Sequence, residues 1–305
     1  MKKIFFIIVF VLAFIGISFA IGHVVTGSND NEITEVANVS NSRSEIMMDK
    51  YFYPNNFYNS VEQATVSDVK FQTDIVRAGI IPHDITQGQM IAHFFQGLIN
   101  QNPKRIILLG PNHYEVGNSK FITTTADWET EFGIVKTDDR VVENLLVNYQ
   151  FSENSKIIEN EHSVSAIVPY ISNYLPNTQV VPIIFKADIR ENEIEAVIKI
   201  IDDYIDDETV VVAAVDFSHY LTKAQASIND EKTKNYLENL DYQSILNLGG
   251  NFNDYLDSPA VIGLLLKWLD NKGYINSQFL SHVNSADEAN DPNIQTTSYF
   301  ELIYY

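Results

Sequence analysis

Three of the seven histidines in this sequence stand directly after short apolar runs rich in β-branched residues. His83 closes Ala78-Gly79-Ile80-Ile81-Pro82-His83, His113 follows Leu108-Leu109-Gly110-Pro111-Asn112, and His219 follows Val210 to Val215 within Asp216-Phe217-Ser218-His219-Tyr220. Imidazole exchanges protons near neutral pH and is the commonest side-chain metal ligand. In open α/β sheets the carboxyl ends of the strands line the ligand crevice, so three strand-end histidines can meet there although far apart along the chain. A lone strand-end histidine reads as an ordinary hydrogen-bonding residue; the threefold repetition points to a metal or proton-transfer site. His162, at a helix start in Glu161-His162-Ser163, is a fourth candidate. His93 within a helix, His282 in a polar loop and His23 in the apolar N-terminal run read as structural.

The sequence holds no cysteine, which removes disulfides, thiolate ligands and cysteine nucleophiles together. A divalent metal held by histidines then takes its remaining protein ligand from a carboxylate. Asp84, Asp216, Asp257 and Asp287 fall in or near loops. Asp257, before Ser258-Pro259, also suits a helix start.

These residues need elements to carry them. Strands are expected over 75–81, 105–109, 121–125, 180–185, 210–215 and 298–304, several of them continuously apolar as in strands covered on both faces. Helices are expected over 89–100, 139–148, 163–175, 191–205, 223–239 and 258–271. Ile194, Val197, Ile198, Ile201 and Ile205 recur at helical spacing and should face the sheet. The alternation predicts a single α/β domain with a mostly parallel or mixed central sheet covered by helices on both faces, following an N-terminal hydrophobic segment.

That segment is the uncharged apolar run 4–25, preceded by Lys2 and Lys3. It is long enough to cross a hydrocarbon layer of ~30 Å, and Ser18-Phe19-Ala20 offers a small-x-small cleavage site. Residues 1–25 are therefore read as a membrane anchor or signal peptide. The two lysines keep the N-terminus cytoplasmic and place the remainder outside the membrane, anchored or, after cleavage, secreted. Residues 26–60 are polar and aperiodic and read as a flexible tether, with the aromatics among Tyr51 to Tyr58 taken as packing at a domain edge; 61–305 is the domain. Forty acidic against 20 basic residues give a formal charge of −20, a field that repels phosphate backbones and argues against nucleic-acid partners.

An ordered set of short motifs runs through the body: Ala78-Gly79-Ile80-Ile81-Pro82-His83, Leu109-Gly110-Pro111-Asn112-His113, Trp128-Glu129-Thr130-Glu131-Phe132-Gly133 with Asp138, Glu161-His162-Ser163, Val168-Pro169-Tyr170, Val181-Pro182-Ile183, Asp216-Phe217-Ser218-His219-Tyr220 and Asn284-Ser285-Ala286-Asp287. In these the sequence resembles the Memo family, also called AmmeMemoRadiSam system protein B, whose fold is similar to that of the class III extradiol dioxygenases. In that family the histidines of the first two motifs and a cysteine before the last large helix form a metal-binding site, with the Asp-x-x-His motif beside it. The resemblance implies His83 and His113 as metal ligands, His219 and Asp216 lining the pocket, and His162 at its rim. Counting back from Val261-Ile262-Gly263-Leu264-Leu265, the family cysteine falls on Asp257. Two further departures are Asp84-Ile85-Thr86, where the family has a small residue, a glycine and an aromatic, and Ser165, where it has a glutamate.

A set of His83, His113 and Asp257 favours non-haem Fe(II) over a soft metal such as Cu(I). The function expected on this basis is that of a metal-dependent, dioxygenase-like oxidoreductase acting on a small molecule, with His219, oriented by Asp216, as general acid or base and His162 placing a second proton. The competing expectation is a non-catalytic, surface-anchored binding module with a vestigial metal pocket. A hydrolase using Ser163 or Ser218 finds little support, since no Gly-x-Ser-x-Gly elbow occurs.

Overall fold

The computed structural model describes residues 45–65, 70–148 and 150–305. The chain enters through β1 (Ile46–Met48) and α1 (Pro54–Thr65), then β2 (Ala78–Ile81), α2 (Gly88–Gly97), β3 (Arg105–Pro111), β4 (Phe121–Thr123), β5 (Asp127–Thr130) and β6 (Gly133–Val135). It continues with α3 (Asp139–Val147), β7 (Phe151–Glu153), three short helices α4 (Ser155–Asn160), α5 (His162–Ser165) and α6 (Val168–Tyr174), then β8 (Gln179–Phe185) and α7 (Glu191–Asp202). The last part is β9 (Thr209–Ala214), β10 (Phe217–Leu221), α8 (Lys223–Glu238), α9 (Tyr242–Leu246), α10 (Pro259–Lys272), β11 (Ser277–Asn284), α11 (Ser285–Glu288) and β12 (Thr296–Tyr304).

The main sheet runs β10-β12-β2-β9-β3-β8-β4-β7, with β11 paired to β12. Its centre, β2-β9-β3-β8, is parallel, while β12 joins β2 and β4 joins β8 antiparallel. The central strands alternate faces with period two. Ile107, Leu109, Val181, Ile183 and Val211 pack with α7 and α10 on one side, and Ile106, Leu108, Val180, Ile184 and Val212 pack with α2 and α6 on the other. The expected mixed α/β domain with helices on both faces is what forms. Ile194, Val197, Ile198 and Ile201 are buried in the first of these cores.

Three expectations are corrected. The helix expected over 163–175 is two helices, α5 and α6, because Pro169 opens the second at its first turn. His282 lies in β11, not in a loop. The tether expected over 26–60 is folded in its described part: β1 pairs in parallel with β5 in a second sheet, β1-β5-β6, and α1 packs on α2. Phe57 explains why, since its ring lies 4.9 Å from that of Phe132 and 4.7 Å from that of Tyr170, and burying such a ring is worth about 2 kcal/mol. Among the described residues no helix is long and apolar enough to cross a membrane. The run 4–25 and residues 26–44, with His23, lie outside the described residues.

Candidate metal centre

Strands β2, β9 and β3 are consecutive neighbours and parallel, so their carboxyl ends open on one edge of the sheet. Adjacent strands stand about 4.8 Å apart, which leaves about 10 Å between the exits of β2 and β3. Two inward-facing imidazoles close that gap. The His83 and His113 rings lie 4.8 Å apart between centroids, and His162 stacks on His113 at 4.2 Å with an interplanar angle of 23°.

Each ring is fixed from behind. Nδ1 of His83 donates to the carbonyl oxygen of Ala214 at 3.1 Å, and the backbone N–H of His83 donates to Asp216 Oδ1 at 3.0 Å. The Glu161 carboxylate holds His113 twice, accepting its backbone N–H at 2.9 Å and its Nδ1–H at 2.8 Å. Glu161 also accepts from Ser163 N at 3.0 Å and so caps α5, tying His162 to the same anchor. This approach of α5 to β3 needs Gly110: a Cβ there would stand 2.5 Å from Ser163 Oγ and 2.8 Å from its Cβ.

These bonds set the tautomers. A carbonyl or carboxylate oxygen can only accept, so both Nδ1 atoms carry hydrogen and each ring turns Nε2 inward, a lone pair wherever the ring is neutral. Asp257 faces both of these nitrogens, with Oδ2 at 3.2 Å from His83 Nε2 and 3.4 Å from His113 Nε2. Its side chain is 7% exposed and neither oxygen accepts a well-formed hydrogen bond. Groups buried against one another in this way share a positive charge, either a proton on His113 or a metal ion in its place. The separations suit ligands about 2.1 Å from a shared ion, which stand about 3.0 to 3.4 Å from each other. Two overlapping groups, His83-His113-His162 and His83-Asp216-Asp257, each have donor atoms within 4.8 Å of one another. The cluster is able to hold a divalent metal ion.

Protonation follows from burial and neighbours. Burial opposes charge on His113, but the Asp257 and Glu161 carboxylates on either side outweigh it and bring its pKa up to about 10. His162 is pushed the other way, to about 4, by burial and then by His83 and His113, and stays neutral at physiological pH. Burial raises Asp216 to about 6 and lowers His219. Asp257 and Glu161 are held below their ordinary values, burial being outweighed by the imidazoles beside them.

The family model for "Memo-like protein" matches residues 51–303. The chain belongs to the Memo family. A "MEMO1 family protein" of Caldivirga maquilingensis is 26% identical over 245 residues, covering 78% of this chain and 86% of that protein. The MEMO1 family protein SSO0066 of Saccharolobus solfataricus is 30% identical over 221 residues, covering 68% and 76% respectively. The crystal structure of the uncharacterized protein JW3007 from Escherichia coli K12 shares the fold, with a TM-score of 0.51 at 12% identity over 74% of this chain and 99% of that one.

Within this Memo fold, His83, His113, His162, Asp216 and Asp257 stand together, and His219 lies within electrostatic reach of Asp257, His83 and His113. Asp257 comes to the cluster through its backbone, whose N–H bonds to the Asp216 carbonyl at 3.0 Å. It is not the helix cap: Ser258 accepts from Val261 N and Pro259 opens α10. The expectation that Asp216 orients His219 is corrected. Asp216 is committed to the backbone of His83, while His219 Nδ1 is buried without a partner. The reason lies in the backbone between them, since Ser218 (φ 28°) and Tyr220 (φ 59°) are left-handed and β10 pairs with β12 through two register shifts, which turn His219 away from Asp216. Asp287 is exposed and ion-paired with Lys223. Ser163 and Ser218 spend their hydroxyls on the Pro111 carbonyl and on Asp230, which leaves no serine–histidine pair for hydrolysis.

Sequence reasoning missed the role of Glu161; its only signal was its place directly before His162. It also missed Tyr51 and Tyr53, which line the cavity of about 370 Å³ in front of His83 and His162, together with Asp84, Ile85 and Asp216.

Proposed function

We propose that the chain is a metal-dependent oxidoreductase of the Memo family in which His83, His113 and Asp257 hold one divalent transition metal, Fe(II) favoured. The observation that carries this reading is the buried Asp257 carboxylate, without a well-formed hydrogen bond, facing the inward Nε2 atoms of His83 and His113. With two nitrogen ligands and one carboxylate, the donor set suits Fe(II) or Mn(II) better than a soft ion. A metal bound there would supply Lewis acidity and, if iron, one-electron redox chemistry.

The chain's own residues do the rest. Ala214 and Glu161 lock the ligand rings, so little reorganisation is needed on loading. His162 is neutral and partly open to the cavity, placed to accept a proton from a bound small molecule. Burial lowers the pKa of His219, whose Nδ1 has no hydrogen-bond partner among the described residues. Asp216 backs His83 from the cavity side. The apolar run 4–25 supports placing this domain outside the cytoplasmic membrane, anchored or secreted.

Metal analysis of the full chain after anaerobic purification tests the reading. About one equivalent of iron or manganese, lost in His83→Ala and His113→Ala, is expected. Protein without transition metal that also fails to take up Fe(II), Mn(II) or Zn(II) would end it. One observation favours the non-catalytic alternative: Ser165, standing where the family has a glutamate, is buried and donates to the Ile158 carbonyl at 2.7 Å, so no acid faces the site from there. Oxygen consumption linked to loss of a substrate separates the two.

A further inference from the structure

The cavity in front of the histidine and aspartate cluster is lined by Tyr51 and Tyr53 and by the carboxylates of Asp84 and Asp216, and no lysine or arginine is among the described residues lining it. At about 370 Å³ it falls within the range for small-molecule sites.

Asp84 follows His83 directly in the chain and lines the cavity. It is fixed in place by two donors: Thr86 N to Oδ1 at 2.9 Å, and Tyr299 OH to Oδ2 at 2.8 Å. Each oxygen keeps a second lone pair, so Asp84 can still accept a hydrogen bond from a ligand. Beyond the tyrosines and Asp216, the titratable groups among the described lining residues are the imidazoles of His83 and His162. His113, behind them, lies between the carboxylates of Glu161 and Asp257.

A charge of this kind, beside two tyrosine faces, is the chemistry that recognises an organic cation. The carboxylate pairs with the ammonium, and the ring faces attract the same charge through their quadrupoles. The arrangement is also built for an organic body. Tyr51 is held by a bond from its hydroxyl to the Asn160 carbonyl at 2.6 Å, and its ring stands 6.0 Å from that of His162.

We propose that the pocket selects small molecules bearing a protonated amine on a planar or aromatic body, with Asp84 as the residue that sets this preference. The inference rests on reading the cavity as the ligand pocket of the proposed metal site, but it does not require the metal to be present.

The test compares 2-phenylethylamine, 2-phenylethanol and phenylacetate, which share a ring and differ in charge. Each is titrated calorimetrically into the full chain, in EDTA-treated and Zn(II)-loaded forms. The amine is expected to bind at least tenfold more tightly than the alcohol in both forms, and phenylacetate most weakly in the EDTA-treated form. Asp84→Asn is expected to lower amine affinity about tenfold, leave the alcohol unchanged and retain the zinc content of the parent. Equal binding of amine and alcohol by the parent protein, tighter binding of phenylacetate in the metal-free form, no binding of any probe at 10 mM, or an Asp84→Asn effect equal for amine and alcohol would each overturn the proposal. The parent comparison decides even if the variant does not fold. Loss of zinc binding by the parent protein would instead count against the metal reading alone.

Discussion

Glu161 grips His113 at two points, the backbone N–H at 2.9 Å and the ring Nδ1–H at 2.8 Å, so that one carboxylate fixes both where this histidine leaves β3 and which ring nitrogen it presents. The same carboxylate caps the helix that carries His162. Replacing Glu161 by glutamine keeps the shape but removes the charge that holds the ring and raises its basicity. Zn(II) affinity of Glu161→Gln, measured by chelator competition, should fall about 10- to 100-fold, the usual effect of losing a partner behind a ligand imidazole.

As the carboxylate of the proposed ligand set, Asp257 should set which metal the cluster prefers. Asp257→Ala should lose most bound metal while still folding, because the side chain makes no hydrogen bond that the fold depends on. Asp257→Cys should keep binding but shift the preference from Fe(II) and Mn(II) towards Zn(II) and Cu(I), since a thiolate is the softer donor. Competition between paired metals, read by elemental analysis, gives the order. An unchanged order in the cysteine variant would remove Asp257 from the ligand set.

Gly110 reports on the packing that brings α5 to the cluster. Gly110→Ala forces a methyl group against Ser163 and should cost about 1 to 3 kcal/mol in unfolding free energy, the usual range for overpacking. Chemical denaturation measures that cost. Because the displaced helix begins at His162, directly after Glu161, metal affinity should fall as well, which a purely structural clash elsewhere in the core would not cause.

Asp49, at the end of the N-terminal strand β1, is pushed up to about 6 by burial, with the backbone N–H groups of Tyr51 and Phe52 opposing. One of its oxygens, Oδ2, is buried without a partner. A carboxyl whose folded pKa is raised stabilises the fold while protonated, and that contribution is lost as pH climbs from about 4 through about 6. Asp49→Asn should therefore match the parent near pH 4 and exceed its stability above pH 6, by about 1 kcal/mol once solvent screening of this partly exposed group is allowed for. Thermal melts across that range test it. A difference independent of pH would refute it.

Much of this was legible in the sequence because it depends on local pattern. Continuous apolar runs marked β2, β3, β8 and β9, and helical spacing marked the buried face of α7, since a strand or helix covered by its neighbours must be apolar where it is covered. The positions of His83, His113 and Asp257 in their motifs named the ligand candidates before any fold was known. Other features depend on partners distant in the chain. That Asp216 serves His83 and not His219 depends on left-handed turns at Ser218 and Tyr220 that no residue type announces. That residues 45–60 fold onto the domain depends on an edge at β5 and an aromatic niche at Phe132 and Tyr170, both supplied by segments about 75 or more residues downstream. Residue types fixed which groups could bind a cation. Whether their lone pairs face one another depended on which carbonyl and which carboxylate stood behind each ring, and hydrogen bonds across the sheet edge set that.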